Sequence, residues 1–197
     1  MKSQFLLDKN ITFLNHGSFG ACPKPIFEEY QRFQLELENE PVYFFLKKQA
    51  EYLKVAKERL SKYIGCHYND FFFTPNPTFA INTIMRSLDL KEGDEILSTN
   101  HEYGAMDRTW NFYCIKSGAK YIRQNILLPV VSKEQILEEF WKGYTSKTKI
   151  VFLNQISSAT ALIFPVKEIC DKARELGLIT IIDGAHVPGQ MDLNISE

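Results

Sequence analysis

Lys149-Ile150-Val151-Phe152-Leu153-Asn154-Gln155 and, downstream of it, Leu178-Ile179-Thr180-Ile181-Ile182-Asp183-Gly184 are the two stretches on which the fold turns. Each is strand-length, apolar at successive positions, and followed at once by polar or turn-forming residues. A strand with one wet face alternates apolar and polar side chains, whereas a strand covered by helices on both faces does not. Between the two, Val166, Ile169, Cys170, Ala173 and Leu176 share one face of a helix over Val166–Leu176 that stops on Gly177. A strand, a crossover helix and a second strand of this kind are the unit from which a parallel sheet is wound.

Working outward, the same alternation of periods recurs upstream. Phe71-Phe72-Phe73 reads as a buried strand, Thr78–Leu88 as a helix and Glu95–Ser98 as a strand. Tyr103–Ser117 is a helix, Ala119–Asn125 a strand and Lys133–Lys142 a helix. Lys149–Asn154 and Leu178–Ile182 complete five strands. The expected architecture is α/β, a mostly parallel doubly wound sheet with helices on both faces. Before it, the turn-rich Phe13–Gly20 segment leads to Pro25, which suits a first helical turn. From Lys48 an amphipathic helix sets Tyr52, Leu53, Ala56, Leu60 and Ile64 on one side, with Gly65 as its stop. Residues 1–45 are expected to be an N-terminal arm and helix, and 46–197 a large domain.

The composition narrows the function classes. Twenty-three Lys and Arg against 24 Asp and Glu leave a net charge of −1, which gives no electrostatic footprint for nucleic acid or an anionic membrane. No apolar run is long enough to span a bilayer, and the first residues lack the apolar stretch of a secretory signal. Cys22, Cys66, Cys114 and Cys170 are widely spaced, and a cytoplasmic protein with four buried or half-buried thiols is expected. No metal site is expected.

Open parallel sheets bind ligands outside the carboxyl ends of their strands. After Phe73 comes Thr74-Pro75-Asn76-Pro77-Thr78, entering a helix whose first turn suits a phosphate, though an ordinary capped loop uses the same residues. After Ser98 comes Thr99-Asn100-His101-Glu102-Tyr103-Gly104-Ala105, with an aromatic ring able either to stack on a flat ligand or to pack. After Leu153 comes the hydrogen-bonding run Asn154-Gln155-Ile156-Ser157-Ser158-Ala159-Thr160. After Ile182 comes Asp183-Gly184-Ala185-His186, a carboxylate at a buried strand end that needs a partner. A protonated ring nitrogen is one such partner; a helix cap and a satisfied core histidine are the alternative.

The order of these four loops resembles the large domain of fold-type I pyridoxal-phosphate (PLP) enzymes. Phe13-Leu14-Asn15-His16-Gly17-Ser18-Phe19-Gly20, His101-Glu102-Tyr103-Gly104-Ala105 and Asp183-Gly184-Ala185-His186-Val187-Pro188-Gly189-Gln190 are similar to the class V aminotransferase group. They match its isopenicillin N epimerase-like members in particular, with cysteine desulfurases more distant. The resemblance runs from about Phe13 to Leu193 and implies pyridoxal 5'-phosphate as cofactor and a small amino acid as substrate. It implies that Asn76 and Thr78 hold the phosphate, Tyr103 stacks on the ring and Asp183 pairs with the ring nitrogen. His186 and Ser158 are implied near the phenolic oxygen, and Asn15, His16 and Gly17 on the substrate side. A homodimer is implied for the full-length enzyme.

Three positions depart from the family's pattern. Pro77 stands where a small residue with an N–H is usual, Gln155 where His is common, and Ala161 where Gly is usual. In the family a lysine that joins the cofactor covalently follows the Asp by a few tens of residues, whereas the last lysine here is Lys172. Two expectations follow. One is an N-terminal portion of a PLP-dependent enzyme, inactive by itself; the other is a non-catalytic domain of the same fold serving as a binding or assembly partner. The sheet is also expected to keep an edge, or a gap, that is apolar on both faces.

Overall fold

The computed structural model describes residues 2–196. The chain forms two compact units that divide between Phe71 and Phe72.

The first unit is helical. α1 (Lys24–Asn39) carries Pro25 in its first turn, where a missing N–H costs no hydrogen bond. α2 (Pro41–Tyr43) continues through a π-helical segment, Phe44–Lys48, into α3 (Gln49–Ile64). Gly65 ends α3 in the left-handed region at φ 72°. Glu36 on α1 accepts hydrogen bonds from Lys48 and from the Tyr52 hydroxyl, and Phe33 meets Tyr52 edge-on at 5.0 Å. Among the described residues of this unit only Ser61 is buried. On the expected apolar face of α3, Tyr52, Leu60 and Ile64 are half-buried while Leu53 and Ala56 are exposed. Cys22 is exposed, not sheltered as expected, because the irregular chain ahead of α1 has no core to enter.

The second unit is the wound sheet. Its elements are α4 (Pro77–Arg86), β1 (Glu95–Thr99), α5 (Gly104–Ser117), β2 (Lys120–Gln124), α6 (Lys133–Trp141), β3 (Thr148–Asn154), α7 (Val166–Glu175) and β4 (Ile179–Asp183). The four strands are all parallel in the order β2-β1-β3-β4. Consecutive residues of the central strands point to opposite faces. Ile96, Ile150 and Phe152 pack with Ile81 and Met85 of α4 and Met106, Trp110 and Cys114 of α5. Leu97, Val151 and Leu153 pack with Ile136 and Phe140 of α6 and Ile169 and Ala173 of α7. Successive apolar residues are thus the signature of a sheet with a core on each side.

Two expectations about strands are corrected. Phe71-Phe72-Phe73 is neither a strand nor buried; Phe72 and Phe73 are 68% and 50% exposed. The segment is apolar enough for a buried strand, but a strand also requires a place in a ladder, and the four-stranded sheet does not include it. β4 is apolar yet only partly covered: Ile179 is 50% exposed and Thr180 is exposed, while Ile181 and Asp183 are buried. Among the described residues it is an edge strand, paired with β3.

The turn after α6 is close to the core. A Cβ on Gly143 would come within 2.6 Å of the Leu97 Cδ1, in a side chain that is fully buried, and would also meet the Gln124 amide. Gly143→Ala is expected to lower stability by about 1–3 kcal/mol, the usual cost of overpacking a filled core. Urea unfolding followed by circular dichroism measures this, and an unchanged midpoint would show that the turn moves aside freely.

Candidate functional site

Because all four strands are parallel, their carboxyl ends lie at one edge of the sheet, with Thr99 beside Gln124 and Asn154 beside Asp183. The loops that leave this edge carry Tyr103, Ser158, Asp183 and His186. α4 ends at Arg86 and the chain then enters the amino end of β1 at Glu95, so the N-terminus of α4, with Asn76 and Thr78, is directed to the opposite, carboxyl edge. The six candidate binding residues of the second unit are therefore brought to the edge at which such sheets take ligands.

At α4, Asn76 is the N-cap and its side-chain oxygen accepts the Phe79 N–H at 2.9 Å. Pro77 occupies the first helical position, where its ring suits the fixed φ and its missing N–H leaves one donor fewer for an anion. Thr78 follows in the first turn. Tyr103 is the residue before α5 and is 51% exposed, its ring free of the two cores. Asp183 is 8% exposed; one carboxylate oxygen accepts the Ala185 N–H at 3.0 Å, and no ion pair among the described residues includes it. His186 is half-buried in the turn that follows, ahead of the buried Val187. Ser158 is exposed, and its neighbour Ser157 is buried and accepts from the Thr160 hydroxyl at 3.1 Å.

The loop after β3 turns sharply at Ala161, whose φ of 55° is in the left-handed region that favours glycine. A hydrogen bond from the Ala161 N–H to the Ser157 carbonyl at 2.9 Å holds the turn. The family pattern's glycine thus has a backbone reason here, and alanine adopts the conformation against its preference.

Asn15, His16 and Gly17 lie in the first unit. The Asn15 side chain accepts the Ser18 N–H at 3.3 Å, and the His16 ring meets the Phe13 ring edge-on at 4.8 Å. A shallow apolar hollow between residues 130–136 and 162–165 includes none of the candidate residues.

One feature of the edge was not assigned from sequence. Glu102, directly before Tyr103, is buried. Thr99 Oγ1 donates to its Oε1 at 2.6 Å, and the backbone N–H and side-chain Nδ2 of Asn154 donate to its Oε2 at 2.8 and 2.7 Å. Asn154 Nδ2 also donates to the His101 carbonyl at 2.9 Å. Burial pushes the Glu102 carboxyl up to about 7, against the pull of the Thr99 and Asn154 hydrogen bonds, and the charge of Asp107 adds to the rise. The available signal was an acid wedged between a strand end and an exposed aromatic.

A model of the aminotransferase class-V family matches residues 20–197. The chain belongs to this family. It is 32% identical over 197 residues to isopenicillin N epimerase of Streptomyces clavuligerus, covering 99% of this chain and 49% of that protein. The isopenicillin N epimerase of Amycolatopsis lactamdurans is 30% identical, with 99% and 50% covered. The chain thus spans about half the length of these curated relatives. Among solved structures, a lysine-to-alanine mutant of C-DES with glycine covalently linked to its PLP cofactor matches with a TM-score of 0.86 at 22% identity. That match covers 100% of this chain and 52% of the other. A cysteine desulfurase from Thermococcus onnurineus matches with a TM-score of 0.77 at 20% identity, covering 99% and 49%. These likenesses extend the class-V family's wound α/β fold to this chain.

Two measurements bear on this edge. Ala161→Gly relieves a left-handed alanine at the cost of a more flexible unfolded chain and is expected to add about 0.5–1 kcal/mol of stability. A decrease in the unfolding midpoint would show that the methyl group packs favourably. For Glu102 the raised pKa means that the folded state keeps a proton the unfolded state has lost between about pH 4.5 and 7. Its contribution to stability is therefore full below that window and falls across it, by on the order of 3 kcal/mol. Glu102→Gln, neutral at every pH, removes this fall, so the variant gains on the parent between pH 5 and pH 8 in urea melts. Parallel profiles for the two proteins would place the proton elsewhere.

Proposed function

We propose that the chain is the cofactor-binding portion of a pyridoxal 5'-phosphate-dependent enzyme of the isopenicillin N epimerase-like kind, acting on a small amino acid. The observation that carries the reading is Asp183, a buried carboxylate at a strand end with, among the described residues, one hydrogen bond to its side chain and no ion-pair partner, in a chain of the class-V family. A protonated ring nitrogen supplies the partner that such a group lacks. The donor set at the same edge suits the remainder of the cofactor: a helix N-terminus for a phosphate, an exposed tyrosine for a flat ring, and a hydroxyl and an imidazole for a phenolic oxygen.

When bound, pyridoxal phosphate supplies an electron sink for charge that develops at the α-carbon of an amino acid. The chain's own residues bind and orient. Thr78 and Asn76 would hold the phosphate at the start of α4, and Tyr103 would offer its ring to the pyridine. Asp183 would accept a hydrogen bond from the ring nitrogen and favour its protonated form, which would strengthen the sink. His186 and Ser158 would hydrogen-bond the phenolic oxygen, and Asn15, His16 and Gly17 would serve the substrate side. Residues 46–197 contribute to the large domain behind an N-terminal arm and helix, and the whole enzyme works as a homodimer.

A second reading rests on a separate observation. None of the four strand-end loops contains a lysine, and the ammonium of Lys172, the last in the chain, sits over the Trp141 ring at 4.8 Å on the helices behind the sheet. Loops without an amine would hold the cofactor by non-covalent contacts alone, as a non-catalytic partner would.

Titration with pyridoxal phosphate is expected to give saturable binding that dialysis reverses, with no lysine trapped by borohydride. Asp183→Ala is expected to weaken binding on the order of tenfold, about 1.4 kcal/mol. Absence of binding to the parent chain would refute the functional reading. A stable reduced adduct at one lysine, or turnover of an amino acid above a mock-purified control, would refute the non-catalytic one.

A further inference from the structure

Three of the proposed ring contacts leave from different strand ends: Tyr103 after β1, Ser158 after β3 and Asp183 at the end of β4. A ring held by all three requires their relative placement to be fixed. The backbone connection to β2 continues as far as Asn100, whose N–H donates to the Gln124 carbonyl at 2.9 Å, but His101 and Glu102 lie beyond the last ladder pair of β1.

Side chains continue the connection where the ladder stops. The Glu102 carboxyl receives Thr99 Oγ1 on one oxygen and both nitrogens of Asn154 on the other, at 2.6, 2.8 and 2.7 Å. Asn154 is in register with Asp183, and the Gln155 N–H donates to the Asp183 carbonyl at 2.9 Å. The same Asn154 amide holds the His101 carbonyl, so both residues before Tyr103 are tied to β3. The orientation of this amide follows from its partners: turning it over would set its oxygen against the His101 carbonyl and the Glu102 carboxylate. A continuous polar chain therefore runs Thr99–Glu102–Asn154–Asp183 across three strand ends.

We propose that Glu102 is a positioning residue for the cofactor ring: its carboxyl clamps the end of β1 to the end of β3 and thereby sets the ring of Tyr103 relative to Asp183. The role requires a hydrogen-bonding atom on each side of the carboxyl carbon, not a charge. An amide fulfils it, its oxygen toward Asn154 and its nitrogen donating to Thr99 Oγ1. Alanine does not: it removes the acceptor of the buried Asn154 backbone N–H and leaves Asn154 Nδ2 only the His101 carbonyl. This inference rests on the functional reading above.

The test uses the full chain and two ligands, pyridoxal 5'-phosphate and inorganic phosphate as its competitor. With Glu102→Ala, the dissociation constant for pyridoxal phosphate is expected to rise on the order of tenfold, the size of effect that orphaning a buried polar group produces. The induced circular dichroism of the bound cofactor is expected to fall with it, while competition by inorganic phosphate stays unchanged because α4 is not part of the clamp. Glu102→Gln retains affinity within about threefold of the parent, less than the effect of one lost buried hydrogen bond. In a Tyr103→Ala background, Glu102→Ala adds little, because the two act through one ring. If Glu102→Ala does not fold, Thr99→Val removes one of the three donors while keeping the side-chain shape, and gives the same pattern at smaller size. Unchanged affinity for pyridoxal phosphate, equal losses for both ligands, or additive losses with Tyr103→Ala would each overturn the proposal while leaving the functional reading intact. A parent chain that binds inorganic phosphate but not pyridoxal phosphate would overturn both.

Discussion

A strand that is apolar at successive positions has no face to offer water, and β3 is such a strand. Ile150 and Phe152 point into one core, Val151 and Leu153 into the other, and all four are fully buried. Burying side chains of this size contributes about 1.5–3 kcal/mol each. The helices that cover the two faces have to connect strands that run the same way, since a crossover that returns over a face begins and ends at opposite ends of the sheet. Parallel strands in turn bring their carboxyl ends to one edge. The location of the candidate site is thus a consequence of covering β3 on both sides.

That edge carries two buried carboxyl groups with different surroundings. Glu102 is surrounded by donors from its own chain, three within 2.8 Å. Its needs are met internally. Asp183 has one backbone donor to its carboxylate and no ion-pair partner among the described residues. A buried carboxylate so lightly partnered has room for a further donor, which is what the proposed reading supplies. Both groups lie at strand ends, and their hydrogen bonds are what distinguish them.

How far the sequence carried depended on whether a feature was local. The helices and the four real strands were legible to within one or two residues, because each is written in the period of its own apolar residues. Phe71–Phe73 misled for the same reason: three successive phenylalanines satisfy the local pattern, but pairing requires a neighbour that no local pattern reveals. Ile179 and Thr180 misled more mildly, since being an edge strand is a property of the sheet order. Asp183 and Tyr103 could be singled out as candidates because position after a strand is local information. Glu102 was not, since its partners Thr99 and Asn154 come from two strands whose adjacency emerges only on folding. Ala161 lay between the two cases. The family pattern marked it as a departure, and the backbone supplied the cause in a φ of 55°.

The start of α4 shows how the remaining site distributes its binding energy. The first turn of a helix offers N–H groups that its own carbonyls cannot reach. Here Pro77 contributes none, and the Phe79 N–H is already taken by the Asn76 side chain. The Ala80 N–H is bonded to the Asn76 carbonyl. Within this turn an anion therefore finds the Thr78 amide and hydroxyl, the helix dipole, and the Phe79 amide only if Asn76 releases it. Such a cradle is lean for a doubly charged phosphate. Under the reading proposed above, the burden of holding the cofactor shifts toward the ring, to the face of Tyr103 and the carboxylate of Asp183, and so toward whatever keeps those two in register.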